Sequence, residues 1–418
     1  MSIISTYKLT NCSMKIIEYL FYYRGMTALQ LTQMYYELEK PLSTQKSNIH
    51  NYLSKLKKQK IVASKKVEDP LHPGSIYYLT KMGFEVVKAM LNIDVGASEN
   101  GFILLNERSG IPTQSDLPYE LYQPPKQQIN HHLLLIDLFI QLRIHFSEEE
   151  SIDHRLSMYC STQYTLNSKD YKIRPDAEIM LPNKETFWIE ADRSTENHTQ
   201  LLAKFENYKN YLSYLKKHDL TIPFKGILFL TDAKQQIYGL KRRWTNILSA
   251  FLKEMYPFNQ EVRLILTPVN NLEETLHFEM NQTALNQTAK HQVYEKLHQE
   301  GYEKVIPFSN TVNKTLSYAI AISKKSYDVF FLNVSNAFDS SMYTRFHHFI
   351  QELDNIHLKN EVNGLQQQGV GQVIFHLDKE PFILPALQAS SSSDNNLMEE
   401  LEMLNKDLEF VQVGLSDE

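Results

Sequence analysis

The chain has 418 residues, 42% of them hydrophobic and 22% charged, with a formal net charge of −6, which describes an ordinary globular protein of two or three domains. No apolar run approaches the ~20 residues of a membrane span, and the opening MSIISTYKLTNCSMK lacks the layout of a secretory signal. Two cysteines, Cys12 and Cys160, argue against a disulfide framework, exclude a zinc site built on paired cysteines, and predict a reducing cytoplasm.

Charge is unevenly distributed. Residues 1–90 carry thirteen Lys/Arg against six Asp/Glu, about +7, which leaves about −13 on the remainder. A basic first module on an acidic body suggests a nucleic-acid contact concentrated at the N-terminus, although charge alone fits a merely basic surface equally well. Pattern adds to it. Met14–Tyr23 reads as an amphipathic helix, and Thr27 caps a second, ALQLTQMYYEL. Ser43 is expected to cap a third, TQKSNIHNYLSKLKKQ, with Ile49, Leu53 and Leu56 facing inward and Gln45, Lys46, Asn48 and Asn51 facing out. Two short strands, Ile61–Lys66 and Ser75–Leu79, flank the loop DPLHPG, and the helix Thr80–Leu91 closes the unit.

Three helices followed by a two-stranded ribbon is the order of a winged helix-turn-helix, assigned to residues 8–92. In such a module the third helix enters the major groove of double-stranded DNA, where Gln45, Lys46, Asn48 and Asn51 suit base edges. Lys55, Lys57, Lys58, Lys60, Lys65 and Lys66 suit phosphates. The alternative is a winged helix used for protein contacts alone.

Residues 93–128, rich in turn formers and ending in Pro124-Pro125, read as a linker whose FILL segment packs on a neighbour. From Ile129 an apolar helix, NHHLLLIDLFIQLRIHF, is followed by a strand near Arg155–Tyr159. Two strands, Ala177–Leu181 and Thr186–Ala191, are joined by the turn Pro182, Asn183, Lys184. Thr195 then starts a helix to Lys217, and the strand Phe224–Thr231, the helix Gln235–Met255 and the strand Val262–Pro268 complete residues 129–270. The two central strands carry Asp176, Glu190 and Asp192 near their ends. Carboxylates gathered there are the hard oxygen ligands that suit Mg²⁺ or Mn²⁺, and such a metal activates water against a phosphodiester.

The αβββαβ order, with Pro175-Asp176 ahead of Glu190, resembles the PD-(D/E)XK nuclease superfamily and its restriction-endonuclease-like core. The resemblance narrows over roughly residues 10–255. A winged helix, a helix opening His131-His132-Leu133, the Pro-Asp pair, the run Glu190, Asp192, Arg193, Thr195, Glu196 and a later Lys204 together resemble the replication-relaxation family of plasmid proteins. Related relaxases of mobilisable plasmids use such a core to nick DNA. The resemblance implies Asp176 and Glu190 as metal ligands and a role in plasmid replication, relaxation or mobilisation (conjugation). It departs at the superfamily lysine, whose place is taken by Asp192, so the attacking water loses a cation. Lys204 can substitute from the helix, where Leu201, Lys204, Tyr208, Tyr211 and Leu215 share a 3–4 spacing; the plainer reading is a lysine snorkelling at the edge of that stripe.

The other candidates have two readings each. Asp192 is a third metal ligand, or pairs with Arg193, or caps the turn. Glu196 suits a helix's first turn as well as a metal. His131 and His132 fit structural roles better than catalytic ones. Arg174 reaches either a phosphate or Glu178, and Lys241, Arg242 and Arg243 read as a solvated basic face. No GxxxxGK[ST] or GxGxxG motif is present, and the adjacent pairs His131-His132 and His347-His348 are not the His-x-His of two-histidine relaxases.

Residues 271–389 alternate helix and strand patterns, which suggests a small α/β domain for partner docking, homodimerisation or covering the core. Residues 390–418 read as a flexible serine-rich linker and an acidic helix with Leu397, Leu401, Leu404 and Leu408 in a stripe. That tail either packs back, binds a protein partner, or competes with DNA for the basic module. The expectation is a multi-domain α/β, DNA-binding protein of the cytoplasm that nicks DNA with a divalent metal. Its rival is a non-catalytic replication initiator or transcription regulator on a degenerate nuclease core.

Overall fold

The computed structural model describes residues 7–92, 103–104, 118–146, 152–193, 196–232, 240–259, 261–300, 302–307, 318–323, 329–335, 338–341, 343–344, 370–377 and 408–413. The fold is mixed α/β, with helices and several sheets. The chain divides into two compact units, Met1–Asp192 and Arg193–Glu418, and the division falls inside the span 129–270 that reads as one nuclease-like domain.

The first unit opens with three helices, α1 (Asn11–Tyr22), α2 (Ala28–Tyr36) and α3 (Ser43–Lys58). Thr10 caps α1 by accepting from the Ser13 amide, and Thr27 with Gln30 forms a capping box on α2. For α3 the expected cap is corrected by one residue. Leu42 is the N-cap, Ser43 is the first helical residue, and Gln45 turns its Oε1 back to the Leu42 amide at 2.7 Å. Ile49, Leu53 and Leu56 are buried on α3 as their spacing requires.

Strand β1 (Met26–Thr27) pairs antiparallel with β3 (Gly74–Leu79), which pairs antiparallel with β2 (Val62–Val67). Helix α4 (Lys81–Leu91), capped by Thr80, follows. Gly83 is required there, because a Cβ would lie 2.1 Å from the Ile61 carbonyl oxygen. The end of the segment read as a linker is docked rather than free-running. Tyr122 stacks on Phe21 with centroids 4.7 Å apart, and Tyr119 and Gln123 both donate to the Leu79 carbonyl. The FILL segment supplies β4 (Ile103–Leu104).

Helix α5 (Ile129–His145) buries residues on every side, from His132 to Leu142, as an apolar-all-round helix must. Strand β5 (Asp153–Leu156) is shorter than expected, because Ser157–Cys160 turns into a short helix, α6. A hairpin not foreseen from the sequence follows: β6 (Thr162–Leu166) and β7 (Lys169–Ile173), with β6 parallel to β4. Its turn residues Asn167 and Ser168 both have positive φ, the signature of a type I′ hairpin. Strands β8 (Ala177–Met180) and β9 (Thr186–Asp192) form the expected antiparallel pair, and β5 lies antiparallel on the other edge of β8.

In the second unit α7 spans His198–Lys217, starting later than expected with Asn197 as its cap; Thr195 lies outside the described residues. Strands β10 (Gly226–Thr231) and β11 (Arg263–Pro268) are parallel and wholly buried. Helix α8 (Leu240–Glu254) packs on α7 through Phe251 and Phe205, whose centroids are 5.4 Å apart. Arg243 corrects the solvated-face reading: it is buried, and its guanidinium donates to the Glu196 carbonyl. Helix α9 (Leu272–Glu300) precedes a sheet ordered β12 (Tyr302–Pro307), β13 (Tyr318–Ser323), β14 (Val329–Ser335), β15 (Val370–Leu377), β16 (Leu408–Val413). Leu408, read as the last position of a helical stripe, instead opens β16, which runs parallel to β15; Leu397, Leu401 and Leu404 lie outside the described residues.

Candidate active site on the β8–β9 strand pair

Strands β8 and β9 have one apolar and one polar face. Ala177, Ile179, Phe187 and Ile189 are fully buried on the first. On the second, Glu178 lies opposite Trp188 and accepts from its indole Nε1 at 2.9 Å. Arg155, opposite Glu178 on β5, completes an ion pair with the same carboxylate. Glu178 therefore has Arg155 as a charge partner, where the sequence offered Arg174 as one of two readings.

One step beyond the last register pair, Ala177 with Ile189, come Asp176 and Glu190. Asp176 lies in a bend just before β8, and its carboxylate reaches β9 at the Ala191 amide, next to Glu190. The Asp176 amide donates to the Ile189 carbonyl at 3.0 Å, and Asp176 Oδ2 accepts from the Ala191 amide at 2.9 Å. Glu190 and Asp192 are 4% and 2% exposed. The Cys160 thiol of α6 feels the same cluster: burial first, then the negative charges of Glu178, Asp176 and Glu190, against the opposing charge of Arg155, push its pKa well up. Cys160 is thus held as a neutral thiol beside the acids.

The two histidines of α5 separate in role. His132 is buried, donates Nε2 to the Gly25 carbonyl at 2.9 Å, and has its pKa lowered to about 3 by burial and by the nearby Arg24 charge. It is a satisfied core histidine. His131 places Nδ1 2.8 Å from the Ala191 carbonyl oxygen, on the strand that carries Glu190 and Asp192. Arg24 donates twice to the Gln123 carbonyl, and its pKa falls to about 10 through burial and the proximity of Arg174.

Lys204 belongs to the second unit, where its Nζ lies 3.0 Å from Glu196 Oε1 and over the Phe229 ring. Glu196 accordingly meets a lysine. Among the described residues, no three His, Cys, Asp or Glu side chains form a group that could hold a metal ion, so Asp176, Glu190 and Asp192 do not make a closed three-carboxylate cage. Asp176 and Glu190 both lie near enough to Cys160 for their charges to act on it. Two carboxylates are the donor set of an open Mg²⁺ site, which is completed by water and substrate phosphate.

On α3 and β2, Lys46, Asn48, Asn51, Lys55, Lys58, Lys65 and Lys66 are exposed as expected. Gln45 is half-buried and engaged in capping, and Lys57 donates to Ser64 Oγ, tying helix to ribbon. Sequence reading missed one buried cluster. His72, in the ribbon loop, bridges Asp69 and Asp137 of α5, and Gln30 of α2 donates to the other Asp137 oxygen. Proximity of DPLHPG to Asp137 leaves no trace in local spacing.

The chain is thus a mixed α/β protein with a basic helical N-terminus and a carboxylate pair at a strand end. Residues 18–223 match the model of the replication-relaxation family, a stretch that runs from α1 to beyond α7. That match points to a role in plasmid replication or relaxation and to interaction with DNA. No curated protein matches the chain. Among the described residues, no helix is long and apolar enough to cross a membrane.

Proposed function

We propose that the protein binds double-stranded plasmid DNA through residues 8–92, acting as a winged helix-turn-helix, and nicks it at the Asp176–Glu190 pair with Mg²⁺ or Mn²⁺. The observation that carries this reading is the hydrogen bond from the Ala191 amide to Asp176 Oδ2, which holds the Asp176 carboxylate against the residue that follows Glu190. Glu190 and the remaining oxygen of Asp176 are the groups that would hold the ion. When bound there, the metal would activate water and offset charge developing on the phosphodiester. Lys46, Asn48, Asn51 and Lys55 on the exposed side of α3, with Lys65 and Lys66 on the ribbon, are the groups that would track the duplex.

A second reading is a DNA-binding initiator or regulator without cleavage. It is favoured by Asp192 standing where the superfamily has lysine, and by the pairing of Lys204 with Glu196. The test uses full-length protein and supercoiled plasmid carrying its native flanking DNA, incubated with Mg²⁺, Mn²⁺ or EDTA. Metal-dependent open circles, lost in Glu190→Gln and Asp176→Asn, are expected. Tight binding without strand breakage under any metal would leave the second reading standing.

A further inference from the structure

Resting on that metal-dependent reading, we infer that His131 is a positioning residue for the carboxylate pair, acting through the backbone of Ala191. Ala191 separates Glu190 from Asp192. Its carbonyl lies 2.8 Å from His131 Nδ1, and its amide donates to Asp176 Oδ2 at 2.9 Å. A carbonyl can only accept, so Nδ1 carries the proton. Both polar groups of one buried backbone residue are therefore committed, one to α5 and the other to the first acid. This pins the strand dihedrals that aim the Glu190 side chain relative to Asp176.

The donor is itself well held. His132, the next residue, donates to the Gly25 carbonyl, and Asp137, further along α5, is held by His72 and Gln30. A helix anchored at His132 and at Asp137 presents His131 to the Ala191 carbonyl of β9. The contact is to backbone, so the side chain orients the acids rather than reacting. Losing it leaves both carboxylates present and the strand end free to turn them apart.

The test is Mn²⁺ binding by the full-length protein without DNA, followed by the electron paramagnetic resonance of free Mn²⁺. Wild type should bind, and Glu190→Gln should abolish binding. His131→Ala should weaken Mn²⁺ by about 10–100-fold, the range for removing a group that orients a metal ligand. His131→Asn should recover wild-type affinity, because its amide nitrogen occupies the place of Nδ1. Should His131→Ala fail to fold, judged by circular dichroism, His131→Gln takes its role: its amide reaches the Nε2 position and should weaken binding likewise. Wild-type Mn²⁺ affinity in His131→Ala or Gln, or equal loss in His131→Asn, would overturn the positioning role while sparing the metal reading. Absence of Mn²⁺ binding by wild type would overturn both.

Discussion

Replacing Asp137 by Asn should weaken the first unit chiefly at acidic pH. His72 is 8% exposed, with Nδ1 2.8 Å from Asp69 Oδ2 and Nε2 2.7 Å from Asp137 Oδ2. Burial disfavours the imidazolium, but the hydrogen bonds and charges of Asp137 and Asp69 outweigh it and raise the His72 pKa above its ordinary value. A ring with a carboxylate on each nitrogen is best satisfied when both nitrogens are protonated. Because the folded pKa is the higher one, the stabilisation is complete below the unfolded pKa of about 6.5 and disappears as pH rises through the folded pKa.

An asparagine at this position would keep an acceptor for Gln30 and remove the charge facing His72. Asp137 is 30% exposed, so the loss at about pH 6 belongs at the low end for a hydrogen bond to a charged group, about 1.5 kcal/mol. In a unit of this size that corresponds to a fall in Tm of about 3–6 °C. The readout is available without a label. Trp188 lies in the first unit and Trp244 in the second, so Trp244→Phe leaves a fluorophore that follows the first unit alone. The Tm gap between that background and the same protein carrying Asp137→Asn should be largest at about pH 6 and should narrow by about pH 8.5. An equal gap at both, or a wider one at the higher pH, would refute the bridge as an ionic contact.

Three further outcomes are expected. Replacing exposed Lys55, Lys58 and Lys65 singly by Ala should weaken DNA binding for all sequences and reduce the slope of log affinity against log salt by about 0.9 for each phosphate no longer neutralised. An unchanged slope would remove that lysine from the interface. Arg263 is buried among Glu279 and Asp339, with its two terminal nitrogens 2.6–3.0 Å from their oxygens. Arg263→Met would strand two carboxylates and should cost about 3–5 kcal/mol in the second unit, read from Trp244 in a Trp188→Phe background. Cys160, buried and held as a thiol by its surroundings, should resist a thiol reagent at about pH 8 until the protein unfolds. Rapid native labelling of Cys160 would contradict that environment.

The helices and the β8–β9 pair were legible because their causes are local. Capping by Thr10, Thr27 and Thr80, the 3–4 spacing of Ile49, Leu53 and Leu56, and the polar turn after Leu181 are written within a few residues of where they act. The β6–β7 hairpin was not, because its turn is Asn-Ser rather than a glycine pair, and TQYTL and KDYKI carry little apolar signal. The contacts of Glu178 with Arg155 and Trp188 escaped notice for another reason. Their partnership is fixed by strand register, which spacing along one strand does not reveal. Leu408 shows the opposite failure, in which a plausible helical stripe gives way to pairing with a distant strand.

The adjacent histidines of α5 join these levels. Neighbouring residues on an α-helix point about 100° apart, so His131 and His132 cannot serve one site. His132 turns into the N-terminal helices and secures Gly25, at the start of β1. His131 turns to the strand bearing Glu190. The pair is in three dimensions a two-sided clamp, with Gly25 of the N-terminal module held by one ring and the Ala191 carbonyl by the other. The ribbon loop joins the same helix, because His72 ties it to Asp137, six residues beyond the His131 that meets the Ala191 carbonyl.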